Sequence, residues 1–173
     1  MALLKLVGAM LLVLATTLVG FKMAGAYRDR TRQLRALIRA VTHLQAQVEY
    51  QTTPLPSALQ HVAARCSPPC GVMFQRAGER LAAENEGVSE AFRSALSWLQ
   101  AESALKAGDC ELVQMLAETL ATTDRAHLDT QFQFTIDHLR QAEEDAREQG
   151  MKNARLWQYL GVLSGVLLVI LLY

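Results

Sequence analysis

The 173-residue chain has no surplus of either charge, since 17 Lys and Arg stand against 17 Asp and Glu. Phosphate recognition needs an excess of positive charge on one face, so this neutrality argues against a nucleic-acid partner. Cysteine is scarce and odd in number: Cys66, Cys70 and Cys110. In a reducing compartment these are free thiols of small packing side chains. A Cys66–Cys70 disulfide would require the inverted topology. A zinc site using His61, Cys66 and Cys70 lacks a fourth ligand and a CxxC pair.

The chemistry-bearing motifs are missing too. No GxxxxGK[ST] loop, GxGxxG, HExxH or GxSxG is present. His43, His61, His127 and His138 are dispersed along the chain. They read as solvated or hydrogen-bonded helix residues rather than ligands. The acidic run Glu143-Glu144-Asp145 reads as a solvated face. No cofactor, metal or catalytic residue is expected, so the chain is read as no enzyme. No alternating pattern marks a strand between the chain ends, and the reading there is all-α.

What is present is concentrated at the ends. Apolar residues make up 51% of the chain, and the excess lies in two runs, 6–21 and 157–173. Directly after the first run, the stretch 22–39 carries Lys22, Arg28, Arg30, Arg32, Arg35 and Arg39 against the single acid Asp29. Arg140, Arg147, Lys152 and Arg155 precede the second run. Lys and Arg beside an apolar helix hold that flank in the cytoplasm. The pattern predicts a transmembrane helix over 1–25, a cytoplasmic domain over 26–155 and a second transmembrane helix over 156–173. Both termini then lie on the opposite side. A cleavable signal peptide is opposed by the basic collar and by the length of the first run, close to the ~20 residues that span a bilayer. The collar sets topology and also offers charge to anionic lipid or an acidic partner. Gly161 and Gly165 form GxxxG, which lets another membrane helix approach closely.

Between the runs lie about 130 residues, enough for one domain. Leu34, Leu37, Ile38, Val41, Leu44 and Val48 recur at helical spacing, and Pro54 ends that helix near Thr53. A short second helix, capped by Ser57, carries Leu59 and Val62 and stops at Ser67-Pro68-Pro69. A third covers 71–84, with Met73, Phe74, Ala77 and Leu81 inward. A fourth opens at Ser89 or Glu90 and runs through Phe92, Leu96 and Leu99. A fifth starts at Gly108-Asp109, with Leu112, Val113, Leu116 and Leu120 on one side. Thr122-Thr123-Asp124 would cap a long sixth through Leu128, Phe132, Ile136, Leu139, Ala142 and Ala146. Six helices with short connections make a compact bundle flanked by two membrane helices.

Particular residues also carry a resemblance. Lys5-Leu6-Val7-Gly8-Ala9, Ala15-Thr16-Thr17, Gly20-Phe21, Arg32-Gln33-Leu34-Arg35, Glu49-Tyr50 and Thr53-Pro54-Leu55-Pro56 resemble the first part of the stage III sporulation protein AB family of endospore-forming bacteria. Glu118-Thr119-Leu120, Asp124-Arg125, His138-Leu139, Lys152-Asn153 and the segment 160–165 resemble the last part. The match is weak over 66–106. Ala121 stands where that family usually has Gly, and Leu128 where it often has Gln.

The resemblance implies a six-helix bundle like the cytoplasmic domain of the F proteins of type II secretion and type IV pili. It implies an inner-membrane platform in the mother-cell membrane around the forespore. Its implied partners are a secretion-type ATPase, stage III sporulation protein AA, and the other membrane proteins of the same operon. F proteins usually carry two such domains, so self-association as a homo-oligomer is implied as well. A membrane-tethered signalling or sensory domain is the alternative reading, opposed by outer tails of only a few residues. A membrane enzyme is opposed by the missing catalytic motifs.

Overall fold

The computed structural model describes residue 25 and residues 28–49, 53–83, 86–122 and 127–172, with side chains up to Lys152. Among the described residues the chain is helical and contains no strand. Helix α1 covers 28–49. Leu34, Leu37, Val41 and Leu44 on it are fully buried, as their spacing predicts, but Ile38 and Val48 are only half-buried. Ala36, Ala40, Gln45 and Gln47 are buried instead. The buried face is wider than one stripe because α1 is contacted from several sides, as the cross-links described below show.

Helix α2, Leu55–Arg65, does not use Ser57 as its cap. It begins three residues earlier than such a cap would allow, with Pro54 at the N-cap and Pro56 in the first turn. A proline there loses nothing, because first-turn N–H groups have no intrahelical acceptor and its fixed φ already suits the helix. The first bond is Ala58 N–H to Pro54 O at 3.0 Å. Helix α3, Cys70–Ala82, buries Met73, Phe74 and Ala77 as expected, together with Cys70, Gly71 and Gly78, while Leu81 is half-buried. A Cβ at Gly71 would lie 2.5 Å from Cys66 O and 3.0 Å from Ala63 O. One at Gly78 would lie 3.3 Å from both Leu59 Cβ and Pro56 O. The two glycines therefore let α3 press against the backbone of α2.

Helix α4, Val88–Glu102, starts at Val88 with Gly87 as N-cap, slightly before the expected Ser89 or Glu90. It buries Phe92, Leu96 and Leu99. Phe92 meets Phe74 edge-on, with centroids 6.4 Å apart and planes at 84°, a favoured aromatic geometry. The Arg76 guanidinium lies 4.2 Å over the Trp98 ring. Helix α5, Ala107–Ala121, turns Val113 and Leu116 inward, with Asp109, Cys110 and Ala117 beside them. Leu112 and Leu120 are half-buried. Its inner face is rotated from the expected one toward Asp109, which has a charged partner on that side.

Helix α6, Leu128–Leu172, is 45 residues long. Leu128, Phe132, Ile136, Leu139 and Ala146 are buried as expected, and Ala142 is half-buried. Of the expected cap Thr122-Thr123-Asp124, Thr122 instead closes α5, its hydroxyl donating to Thr119 O at 2.7 Å, and Thr123 and Asp124 lie outside the described residues. Helices α2 to α5 pack each against the next. The bundle is one compact unit over Arg30–Glu144, and α6 passes from it into a second unit. The apolar runs 6–21 and 157–173 lie outside the residues whose side chains are described. Among the described residues no helix is long and apolar enough to cross a membrane.

Candidate interaction site

Helix α1 receives most of the polar cross-links of the bundle. Near its start, Arg30 donates through Nε to Asp109 Oδ2 at 3.2 Å and through Nη2 to Asp109 Oδ1 at 3.1 Å. This guanidinium fork matches a carboxylate in geometry as well as charge. Asp109 sits in the first turn of α5, and its Oδ2 also accepts the Lys106 N–H at 2.8 Å. One carboxylate thereby caps α5 and ties it to α1. One turn on, Gln33 Oε1 accepts the Ala104 N–H at 2.8 Å, fastening the α4–α5 connection. The Cys70 thiol lies 3.6 Å from the Gln33 carbonyl oxygen.

Two links join α1 to α6. Arg35 donates through Nε to Glu143 Oε1 at 2.8 Å, with Nη2 at 2.7 Å from the same oxygen. Gln45 Nε2 donates to Asp129 Oδ1 at 2.8 Å. Glu49 follows one turn later with a buried Oε1 that has no hydrogen-bond partner. Burial, and then the Asp129 carboxylate, push the Glu49 carboxyl above its usual value, against an opposing hydrogen bond from Gln45.

The three cysteines are free. Burial, followed by the neighbouring thiols, pushes Cys70 up to about 12. Burial, followed by Asp109 and Glu111, pushes Cys110 up to about 11. Burial also raises Cys66, with Arg39 pulling the other way. Thiols so disfavoured as thiolates are poor nucleophiles and poor ligands. No group of three His, Cys, Asp or Glu among the described residues is placed to hold a metal ion.

The basic collar divides on inspection. Arg28, Arg32, Arg35 and Arg39 are exposed on α1, and Arg147 and Lys152 are exposed on α6. Arg30 is not a surface charge: its side chain retains 12% exposure in the pair with Asp109. Arg35 serves the bundle through Glu143 while remaining half exposed. Lys152 pairs with Glu148 at 3.5 Å along α6. Lys22 lies outside the described residues, as do the side chain of Arg155 and the expected packing face at Gly161 and Gly165.

Two of the dispersed histidines come together. His43 and Gln47 on α1, with His61, Ala64 and Arg65 on α2, line one surface cleft of about 390 Å³. His43 Nε2 is buried and has no hydrogen-bond partner. Burial first, then Arg65 and His61, hold the His43 imidazole below its usual value. Gln47 Oε1 accepts the Thr53 hydroxyl at 3.3 Å. Arg39 stands one turn before His43 on α1 and is close enough to Cys66, at the end of α2, to act on its thiol. The signal was in the spacing: Arg39, His43 and Gln47 recur every four residues, as do His61 and Arg65, so each set shares one helix face. His138 conforms to expectation, with Nδ1 2.9 Å from Phe134 O.

These features define an all-α bundle in which the Arg30–Asp109 and Arg35–Glu143 ion pairs and the Gln33 and Gln45 amides tie α1 to the rest of the bundle. The family described as stage III sporulation protein AB matches residues 5–173. Stage III sporulation protein AB of Bacillus subtilis (strain 168) is 34% identical over 169 residues, covering 98% of this chain and 99% of that protein. A solved structure of stage III sporulation protein AB superposes with a TM-score of 0.67 at 27% identity, covering 70% of this chain and 96% of that one. The chain belongs to the stage III sporulation protein AB family, and with it to sporulation.

Proposed function

We propose that the chain is a non-catalytic platform component of a channel complex between mother cell and forespore, held in the mother-cell membrane by its two apolar ends. The observation that carries this reading is the pattern of the whole chain. Each apolar run is bordered on its inner side by Lys and Arg, and the family match over 5–173 takes in both runs and the bundle. Basic borders on both sides of one bundle support a cytosolic bundle with both termini across the membrane.

A cytosolic bundle fixed at both ends suits the coupling of a soluble motor to membrane partners. The partner of this reading is the secretion-type ATPase, stage III sporulation protein AA, together with the other membrane proteins of the operon. Gly161 and Gly165 supply a close-packing face for a second membrane helix, from this chain or from a second copy in a homo-oligomer. Arg28 and Arg147, collar residues outside the bundle's own ion pairs, meet anionic headgroups of the bilayer.

Co-purification tests the coupling. The full-length chain in detergent should retain the ATPase through size-exclusion chromatography, and complete separation of the two would refute the partnership. Topology has a separate test: a membrane-impermeant thiol reagent applied to intact cells should leave Ser94→Cys unlabelled. Labelling there would overturn the cytosolic placement.

A further inference from the structure

We infer that the cleft between α1 and α2, built from His43, Gln47, His61 and Arg65, is a carboxylate-binding site that receives an acidic segment of a protein partner. This inference rests on the platform reading only for the choice of a protein over a membrane as the source of the carboxylate.

Four of the five lining side chains, His43, Gln47, His61 and Arg65, carry N–H groups. Arg65 in the lining, and Arg39 one turn before His43 on α1 but outside the lining, are exposed, and among the described residues neither has an ion-pair or hydrogen-bond partner. His43 Nε2 is buried without a partner, which is unusual because buried polar atoms are nearly always satisfied. With Gln47 Oε1 engaged by Thr53, the amide NH2 is the group that Gln47 has left to offer. The cleft lining includes no Asp or Glu. An unpaired Arg65 guanidinium with no carboxylate in the lining, beside an orphaned ring nitrogen, is complementary to an anion that can accept several hydrogen bonds. A carboxylate accepts up to about four, and an Arg fork meets it with two.

Size and position select the source. The cleft, about 390 Å³, greatly exceeds a lone small anion, given the ~30 Å³ that one water occupies in the liquid. Ala64 adds an apolar wall, which suits the methylenes of a Glu side chain. His43 lies 15 residues beyond Arg28 on α1 (43 − 28), roughly 22 Å at about 1.5 Å per residue. Headgroups that meet the start of the collar are therefore well removed from this cleft. An acidic peptide reaches it from the cytosol.

The experiment uses the full-length chain in detergent and a fluorescently labelled hexaglutamate peptide, with hexaglutamine as the neutral control. Hexaglutamate should bind, hexaglutamine should not, and R65E should weaken hexaglutamate binding at least tenfold. H61Q should weaken it severalfold. R93A, in the separate cleft beside Glu90 and Ser94, should leave it unchanged. Arg65 and His61 are exposed, so both variants should keep the parent's thermal unfolding midpoint. Binding that is absent, or equal in R65E and the parent, overturns the inference. So does phosphatidylglycerol vesicle binding that R65E abolishes while hexaglutamate binding survives, because the cleft would then serve a membrane. Retention of the ATPase by a chain that ignores hexaglutamate would sink this site and leave the platform standing. Hexaglutamate binding that depends on Arg65, in a chain that releases the ATPase, would do the reverse.

Discussion

Arg30 of α1 and Asp109 of α5 form a two-pronged ion pair at 3.1 and 3.2 Å, with side chains only 12% and 5% exposed. The residues are 79 positions apart, so the pair fixes the register of the first helix against the fifth. A buried pair of this kind is weak evidence of net stabilisation, since desolvation offsets much of the attraction, but removing one member leaves the other charge stranded. D109N should cost about 3 kcal/mol, the lower end for a broken buried pair, because Arg30 retains some contact with water. D109A should cost about 1 kcal/mol more, because the Lys106 N–H then loses its capping oxygen as well. Denaturant unfolding of the detergent-solubilised chain checks both values. Equal stability of the two variants would remove the capping role.

The glycines of α3 and α5 should respond in opposite directions. G71A forces a Cβ to 2.5 Å from the Cys66 carbonyl oxygen, and backbone cannot swing aside, so a loss of roughly 2 kcal/mol is expected. G78A, with contacts at 3.3 Å, should cost less. G108A meets nothing within 4 Å and should gain about 0.5 kcal/mol by restricting the unfolded chain. Thermal unfolding midpoints should rank G108A above the parent, then G78A, then G71A.

Thiol reactivity should be graded by burial. Cys66 is half-buried, whereas Cys70 and Cys110 are buried, with values pushed to about 12 and about 11. At pH 7.5 a maleimide should modify Cys66 slowly and the other two only when denaturant is added. Mass spectrometry of digests reads this directly. Rapid native labelling of Cys70 would contradict the packing of α3 against Gln33.

The pH dependence has two opposed contributions. His43 is lowered from 6.5 in the folded protein, so the unfolded chain takes up its proton first as pH falls. Its contribution is complete above pH 6.5 and is lost as pH drops through the folded value. H43Q should therefore flatten the fall in stability below pH 6.5. Glu49 is raised from 4.5, so its contribution is complete below pH 4.5 and is lost as pH rises through the folded value. E49Q should stabilise the protein at pH 7 by roughly 0.5 kcal/mol, on the scale of couplings between partly exposed charges. That gain should vanish near pH 4. Chemical denaturation at a series of pH values tests both variants.

Much of the bundle was legible because helical periodicity is local. Leu34, Leu37, Val41 and Leu44, or Phe132, Ile136 and Leu139, declare an inward face without reference to any other helix. Boundaries were harder to place. Pro54 and Pro56 read as a break followed by a Ser57 cap, yet proline is equally at home in a first turn, and α2 begins there. The faces of α1 and α5 were misjudged where a polar residue has a partner far along the chain. Gln45 is buried because Asp129 accepts its amide hydrogen, and Asp109 is buried because Arg30 reaches it. No spacing within either helix announces such a partner.

The sequence by itself determined the helical class, the inward stripes, the two apolar ends with their basic borders, and the family. These follow from composition and from order over a few turns, where spacing on a helix dictates which side chains share a face. Only the tertiary structure decided how the charges divide: Arg30 and Arg35 into the bundle, Arg65 left facing a cleft beside His43 and His61. Charge pairing depends on distances across helices, and those distances exist only once the chain has closed on itself.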